Sequence, residues 1–186
     1  MASTNTALAE TGGHDVMSMD IENSDSNQYL TFRLNGETYG VDILRVQEIK
    51  GWTELTNIPN TPEYVRGVLN LRGTVVPIID MRARFKLEQI DYTPTTVVIV
   101  LSVKNNKGDY SLVGIVVDAV SDVMNVDVKE IKPTPDFGNG IETEFLNGLA
   151  TINDEMVMLM DVDLLLKVDE IMPQAASENA DGDTSE

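Results

Sequence analysis

The sequence predicts an all-β protein made of two small five-stranded barrels, SH3-like or OB-like in type, packed against each other. Three observations predict it. The middle of the chain repeats itself: residues 67–80 (GVLNLRGTVVPIID) are echoed by residues 148–161 (GLATINDEMVMLMD) at a constant offset of 81, which aligns Val76 with Val157 and Ile78 with Leu159. Upstream, YGVDILRV from Tyr39 is echoed by VGIVVDAV from Val113, aligning Asp42 with Asp118 at an offset of 76. The preserved order, in which a strand is followed by a glycine and then by a strand ending in Asp, marks two related halves of roughly 70 residues. Each half also holds about five short apolar runs bounded by turn residues. Finally, a barrel of this size has a thin core, and the apolar surplus in both halves suggests that the two share one.

The elements follow in order. Leu30, Phe32 and Leu34 alternate with Tyr29, Thr31 and Arg33, which predicts a strand ending at Asn35-Gly36. Asn-Gly accepts the positive φ angles of a tight hairpin, so residues 38–42 should form the return strand. Residues 43–49 read as a short turn at Leu44 and then a strand through Gln47, Glu48 and Ile49. Ile58-Pro59 and Thr61-Pro62 mark a loop, with Pro62 suited to the first turn of a short helix through Tyr64. Residues 65–71 and 74–80 are two strands joined at Arg72-Gly73, and 81–86 fits a brief helix. Residues 96–103 (TVVIVLSV) are β-branched and apolar on both faces, as in a central buried strand. Residues 104–108 make a longer hairpin turn and 111–118 return. A further strand or edge is expected at 126–133, a hairpin from 145–152 and 156–160 across Asn153-Asp154, and a last short helix at 163–168. The first barrel should lie mainly in 38–95 and the second mainly in 96–160, with strands free to cross over.

The net charge of −18 on 186 residues is unevenly placed. Residues 1–28 hold five acids and 169–186 hold six, neither opposed by Lys or Arg. Such polar segments cannot repay their ordering entropy, so 1–27 and 169–186 are expected to be disordered acidic tails around a domain at 28–168. Between them, 29–95 balance at eight acids and eight bases, whereas 96–168 hold twelve acids and five bases. An acidic chain without a basic stripe is a poor nucleic-acid ligand. The longest strongly apolar run, 96–103, is far too short to span a membrane. The N-terminus lacks the basic and apolar regions of a secretory signal, so a cytoplasmic location without membrane insertion is expected.

Chemistry has little support. The chain has no cysteine, which excludes disulfides, thiolate nucleophiles and zinc-thiolate sites. Its one histidine, His14, lies in the expected tail, and no phosphate-binding glycine loop or GxSxG nucleophile turn is present. Asp42, Asp80, Asp118 and Asp161 sit at matching places in the repeat and read as strand-end and turn-capping residues, not as an acid/base pair. Residues 161–163 (DVD) lack the glycine and distal Glu of a calcium loop. Trp52 and the nine methionines could line a binding surface, although methionine more often fills cores. No enzyme activity, cofactor or metal is expected. Two segments suggest more than scaffold. Residues 70–73 (NLRG) put a cation at a hairpin tip, and residues 46–49 (VQEI) place apolar and acidic side chains on alternating faces, suited to a core-facing strand or a recognition edge.

With these residues the chain resembles the CheW family of chemotaxis coupling proteins. The resemblance is carried by YGVDILRVQEI from Tyr39, VRGVLNLRGTVVPIIDMR from Val65 and VGIVVDAVSDV from Val113, over about residues 28–167, and NLRG with VPIIDMR is its most specific part. It implies two packed SH3-like five-stranded β-barrel subdomains with short connecting helices. It also implies a free-standing adaptor, since the short tails leave no room for the kinase or receiver modules fused to related domains. Such an adaptor joins the cytoplasmic tips of methyl-accepting chemoreceptors to the regulatory domain of the histidine kinase CheA, and is a monomer in isolation and multimeric in receptor arrays at the membrane. Carried over by position, Val46, Glu48, Ile49, Arg66, Arg72, Val113, Gly114 and Val120 fall in or near the receptor-binding groove. Gly67, Val75, Lys132 and Phe137 fall in the region of kinase and ring contacts. Val113 and Val120 read equally well as core. The alternative function is a small-barrel ligand-binding or nucleic-acid-binding protein.

Overall fold

The computed structural model describes residues 26–135, 143–167 and Ile171. Most of the two acidic extensions and Phe137 lie outside the described residues. The described residues form ten strands in two five-stranded sheets with a few short helices. β1 (Ser26–Leu34) and β2 (Glu37–Asp42) make the first hairpin, and Asn35 and Gly36 take φ values of 53° and 83° at its turn. A 3-10 turn (Ile43–Arg45) leads into β3 (Val46–Gly51), with the Asp42 carboxylate accepting from the Leu44 amide. β4 (Val65–Leu71) and β5 (Thr74–Asp80) form the second hairpin, followed by α1 (Met81–Arg84). β6 (Val97–Lys104), β7 (Tyr110–Val117) and β8 (Ala119–Asp127) come next, and then a second 3-10 turn (Val128–Glu130). β9 (Leu146–Ile152), β10 (Glu155–Met160) and α2 (Val162–Leu165) complete the described chain.

One sheet has the order β8-β1-β2-β10-β9 and the other β3-β6-β7-β5-β4. Each closes on itself. Thr56, beyond β3, pairs with Val68 of β4, and Lys132, beyond β8, pairs with Leu149 of β9. These two bridges stand at matching points of the sequence repeat. The sheets do not divide at residue 95, because the β6–β7 hairpin joins β3, β4 and β5, while β1–β2 joins β8, β9 and β10. Each half thus lends its leading hairpin to the sheet that the other half completes, and hydrophobic pattern alone carries no record of that long-range choice.

The buried apolar residues among those described sort into three clusters. One lies within the first sheet (Tyr29, Val126, Ala150, Val157, Leu159) and one within the second (Val76, Ile78, Val98, Val100, Val116). The largest lies between them, where Phe32, Leu34 and Val41 meet Ile79, Ile99, Leu101, Ile115 and the α2 residues Val162 and Leu165. β6 feeds two clusters by alternation, Val98 and Val100 into one and Ile99 and Leu101 into the other, so its continuous apolar run is required. Burial extends to Ile171, which is 3% exposed in the shared core although it falls within the expected tail.

Two expectations are corrected. No helix forms after Pro62, because the Val65 amide closes a single turn onto the Pro62 carbonyl (2.9 Å) and the chain enters β4 at once. The strand or edge expected at 126–133 is instead the end of β8, a 3-10 turn capped by the Asp127 carboxylate on the Lys129 amide, and the bridge at Lys132. β8 itself begins at Ala119 and pairs along β1 from Arg33 to Ser26.

Candidate functional site

β3 is an outer strand of its sheet in pairing order, and among the described strands it pairs only with β6. Its burial alternates, and Ile49 is 44% exposed despite its apolar side chain. The β4–β5 turn comes back over this strand. Arg72 takes φ 50° and Gly73 φ 88°, and the Asn70 side chain accepts from the Gly73 amide (2.8 Å), which fixes the tip. From there the Arg72 guanidinium reaches Glu48 at 3.4 Å, with the Arg72 side chain 85% exposed. An ion pair so exposed contributes about 0–1 kcal/mol to the fold, so Arg72 remains available to a partner. Val75, also exposed, stands three residues along the same hairpin. Within the 3-10 turn that leads into β3, Leu44 is 82% exposed, an apolar neighbour of this edge that sequence reasoning did not select.

Beside this edge, the Asp80 carboxylate is buried at the end of β5. One of its oxygens caps α1 through the Arg82 amide (2.9 Å), and the other accepts from Arg66 Nε (3.1 Å), Arg66 Nη2 (2.9 Å) and the Tyr92 hydroxyl (2.9 Å). Burial raises the Tyr92 hydroxyl to about 12, with the Asp80 charge adding to the shift and Arg66 opposing it, so the phenol stays protonated and donates. Burial would lower Arg66, but its hydrogen bond to Asp80 and the nearby charges more than compensate, and the guanidinium stays charged. Arg66, Trp52, Leu55 and Tyr92 line an open cleft of roughly 480 Å³, in which the Trp52 and Tyr92 rings lie 4.0 Å apart. Asp80 is therefore a capping and positioning residue, as is Asp161, which accepts from the Asp163 (2.9 Å) and Leu164 (3.1 Å) amides of α2. Among the described residues, no group of three His, Asp or Glu side chains is placed to hold a metal.

The receptor-side candidates divide. Glu48 and Arg72 meet on one face of β3, and Ile49, the next residue, is exposed on the alternate face, with Val46 half-buried on the same strand and Arg66 in β4. Val113 is 0% exposed within the shared core, and Gly114 is buried against Ile78 and Val98. Both lie in β7, a central strand flanked by β6 and β5, so neither presents a surface to a partner. Val120, in β8 opposite Phe32, is half-buried against the shared core. On the kinase side, Val75 and Lys132 are exposed. Gly67 is interior, with φ 141°, and a Cβ there would meet the Thr56 carbonyl oxygen at 2.4 Å, so it serves the barrel-closing bridge. Phe137 lies outside the described residues. Val75 and Arg72 share one hairpin, whereas Lys132 stands on the other sheet.

Sequence reasoning also missed two polar clamps between the sheets. Arg82 donates from Nε (2.8 Å) and Nη2 (2.7 Å) to Asp118, which also accepts from the Asn35 amide (2.8 Å). Arg45 pairs with Asp163, which accepts from the Lys104 amide (2.7 Å), and donates to the Ser102 carbonyl (3.0 Å). The repeat gives a partial signal for them, since Arg82 and Asp163 occupy matching places two residues beyond their helix caps.

This geometry offers recognition by an exposed strand edge and an exposed cation. No described helix is long and apolar enough to cross a membrane. The chain is 44% identical over 144 residues to a chemotaxis protein CheW of Klebsiella aerogenes, covering 77% of this chain and 84% of that one. It is 38% identical over 143 residues to a chemotaxis protein CheW of Rhizobium meliloti, covering 77% and 89%. The crystal structure of the scaffolding protein TtCheW from Thermoanaerobacter tengcongensis aligns with a TM-score of 0.68 at 32% identity, over 77% of this chain and 94% of that one. Residues 28–170 match the CheW-like domain, and the chain belongs to that family of chemotaxis scaffold proteins.

Proposed function

We propose that this chain is a non-enzymatic adaptor that couples methyl-accepting chemoreceptors to the histidine kinase CheA and helps to build receptor–kinase arrays at the membrane. The observation that carries this reading is the outer strand β3, which exposes the apolar Ile49 on one face and holds the Glu48–Arg72 pair on the other. An apolar helical hairpin of a receptor tip suits such an edge, with Arg72 free to leave Glu48 and bond a carboxylate or carbonyl of the partner. The interior residues Val113 and Gly114 act on this site through the shape of the sheet behind it. Kinase and ring contacts are assigned to Val75 and Lys132, with Lys132 on the second barrel giving the two unlike surfaces that a bridge needs. The similarity to proteins called chemotaxis protein CheW and to a scaffolding protein supports the reading.

The test is reconstitution. Purified chain is added to vesicles carrying a receptor cytoplasmic fragment together with CheA, and kinase recruitment and autophosphorylation are followed. Recruitment that depends on this chain, with no turnover by the chain itself, is the expected result. A chain that binds neither the receptor fragment nor the kinase regulatory domain would overturn the proposal.

A further inference from the structure

The two sheets present the same backbone pairing. β1 runs antiparallel to β8 and β2 parallel to β10, and in the other sheet β6 runs antiparallel to β3 and β7 parallel to β5. Each sheet joins the leading hairpin of one half to three strands of the other, with residues 85–96 as the covalent link between halves. Backbone hydrogen bonds alone therefore give a first half no reason to prefer a second half over another first half. The side chains do discriminate.

Three ion pairs between described residues cross from half to half: Arg82–Asp118, Arg45–Asp163 and Arg33–Glu155. In all three the cation comes from the first half and the carboxylate from the second. The remaining two pairs, Arg66–Asp80 and Arg72–Glu48, lie within the first half. All six arginines of the chain fall between residues 33 and 84. The two clamps occupy equivalent places with reversed polarity. Each joins the residue two beyond a helix cap to the link that follows a leading hairpin, and each carboxylate also accepts a backbone amide at a hairpin turn. Arg82 of α1 meets Asp118 after β7, whereas Asp163 of α2 meets Arg45 after β2. A pairing of two first halves would set Arg82 against Arg45, and a pairing of two second halves would set Asp163 against Asp118. Both put like charges in partly buried positions, where they repel strongly.

We infer that these charges form a pairing code, and that the surface each half presents is a docking site for the opposite half of this chain, its own or that of a second copy. The link at 85–96 makes the intramolecular partner the favoured one by raising its effective concentration. Where that partner is spoiled, the code directs reciprocal exchange between two copies.

The experiment uses two full-length variants. In one, Arg45→Asp and Arg82→Asp make the first half anionic at both clamps. In the other, Asp118→Arg and Asp163→Arg make the second half cationic. Each variant alone confronts like charges at both clamps, whereas an exchanged dimer containing one copy of each restores opposite charges at all four. The two chains, carrying different tags, are unfolded in urea, mixed in equal amounts and refolded at high concentration, and the products are sorted by tandem affinity capture and light scattering. The expected product is a mixed dimer of twice the 20.5 kDa chain mass, in at least tenfold excess over dimers of either variant. A charge-free pair, Arg45→Gln with Arg82→Gln and Asp118→Asn with Asp163→Asn, should show no such excess. If the charge-swapped mixture gives no mixed dimer, whether or not the variants fold alone, or if the charge-free pair gives as much, the code does not exist.

Discussion

Arg82 and Arg72 each pair with a carboxylate, but their surroundings give the pairs different roles. Arg82 is 11% exposed and bonds Asp118 through two nitrogens, so removing the carboxylate leaves a desolvated cation with an incomplete set of acceptors. Asp118→Asn should cost about 1–3 kcal/mol of stability at neutral pH, read by urea unfolding. Its pH dependence tests the cause. Burial pushes the Asp118 carboxyl up, but hydrogen bonds from Arg82 and the Asn35 amide outweigh it and hold it below the ordinary value of 3.8. Because the folded pKa is depressed, the stabilisation is fully present above the unfolded value and is lost as pH falls through the folded one. The stability gap between the wild type and Asp118→Asn should therefore close as the pH is lowered below about 4, and a gap independent of pH would show that charge is not the cause. Arg72 is the opposite case. Its pair with Glu48 is long and solvated, so Arg72→Glu should change stability by no more than about 0.5–1 kcal/mol. If a receptor group takes the guanidinium out of water, the same substitution should weaken receptor binding by about 2–5 kcal/mol, read by calorimetry against a receptor fragment. A large fall in melting temperature, or unchanged affinity, would remove Arg72 from the site.

At the scale of elements, Gly67 and Gly148 explain why the repeat survives in strands that otherwise share few residues. Both sit where β4 and β9 meet the bridges that close their sheets, with φ 141° and 158°, and a Cβ on Gly148 would lie 2.7 Å from the Lys132 carbonyl oxygen. Gly67→Ala should destabilise by about 1–3 kcal/mol in urea unfolding, whereas Gly51→Ala, with open space around its Cβ, should fall within about 0.5 kcal/mol. Gly114→Ala tests the interior role of a residue assigned to the receptor groove. Its Cβ would meet Ile78 Cδ1 at 2.4 Å, so melting temperature and receptor affinity should fall together, unlike the separate effects expected for Arg72→Glu. The elements legible in the sequence are those with local causes. The hairpins at Asn35-Gly36 and Arg72-Gly73 follow from turn chemistry, and β6 from an apolar run buried on both faces. β8 was not legible, because Ser121, Asp122, Val123 and Asn125 are exposed and leave too weak an alternation to mark a strand. The site was legible in part for the same reason. Residue type and resemblance select Arg72 and Ile49, but only the folded sheet shows that Arg72 lies over Glu48 or that Val113 points inward.

At the scale of the molecule, a hairpin exchange between related halves gives one chain two barrels of the same plan with different surfaces. The β3 edge carries Ile49, Leu44 and the Arg72 tip, while the corresponding region of the other barrel carries Val123, Val128 and Lys132 beside its closing bridge. The first half is balanced in charge and the second is acidic, so the two surfaces also differ in the charge they present. An adaptor with two independent sites should lose them one at a time. Lys132→Glu leaves the backbone bridge to Leu149 intact, since that bridge uses main-chain groups (2.8 Å each way), and so should keep the fold. It should weaken kinase or ring association, with direct receptor binding changed less than about twofold, within the range of an ordinary surface substitution. Arg72→Glu should show the reverse. Val75 is the informative intermediate, because it shares a hairpin with Arg72 while being assigned to the kinase side. If Val75→Asp follows Lys132→Glu, two partners meet across one hairpin. If it follows Arg72→Glu, the hairpin belongs wholly to the receptor face. Each purified variant is titrated separately with a receptor fragment and with the kinase regulatory domain. Equal loss of both partners by folded Lys132→Glu and Arg72→Glu would replace the two-surface arrangement with a single shared site, or with a coupling that runs between the barrels through the core they hold in common.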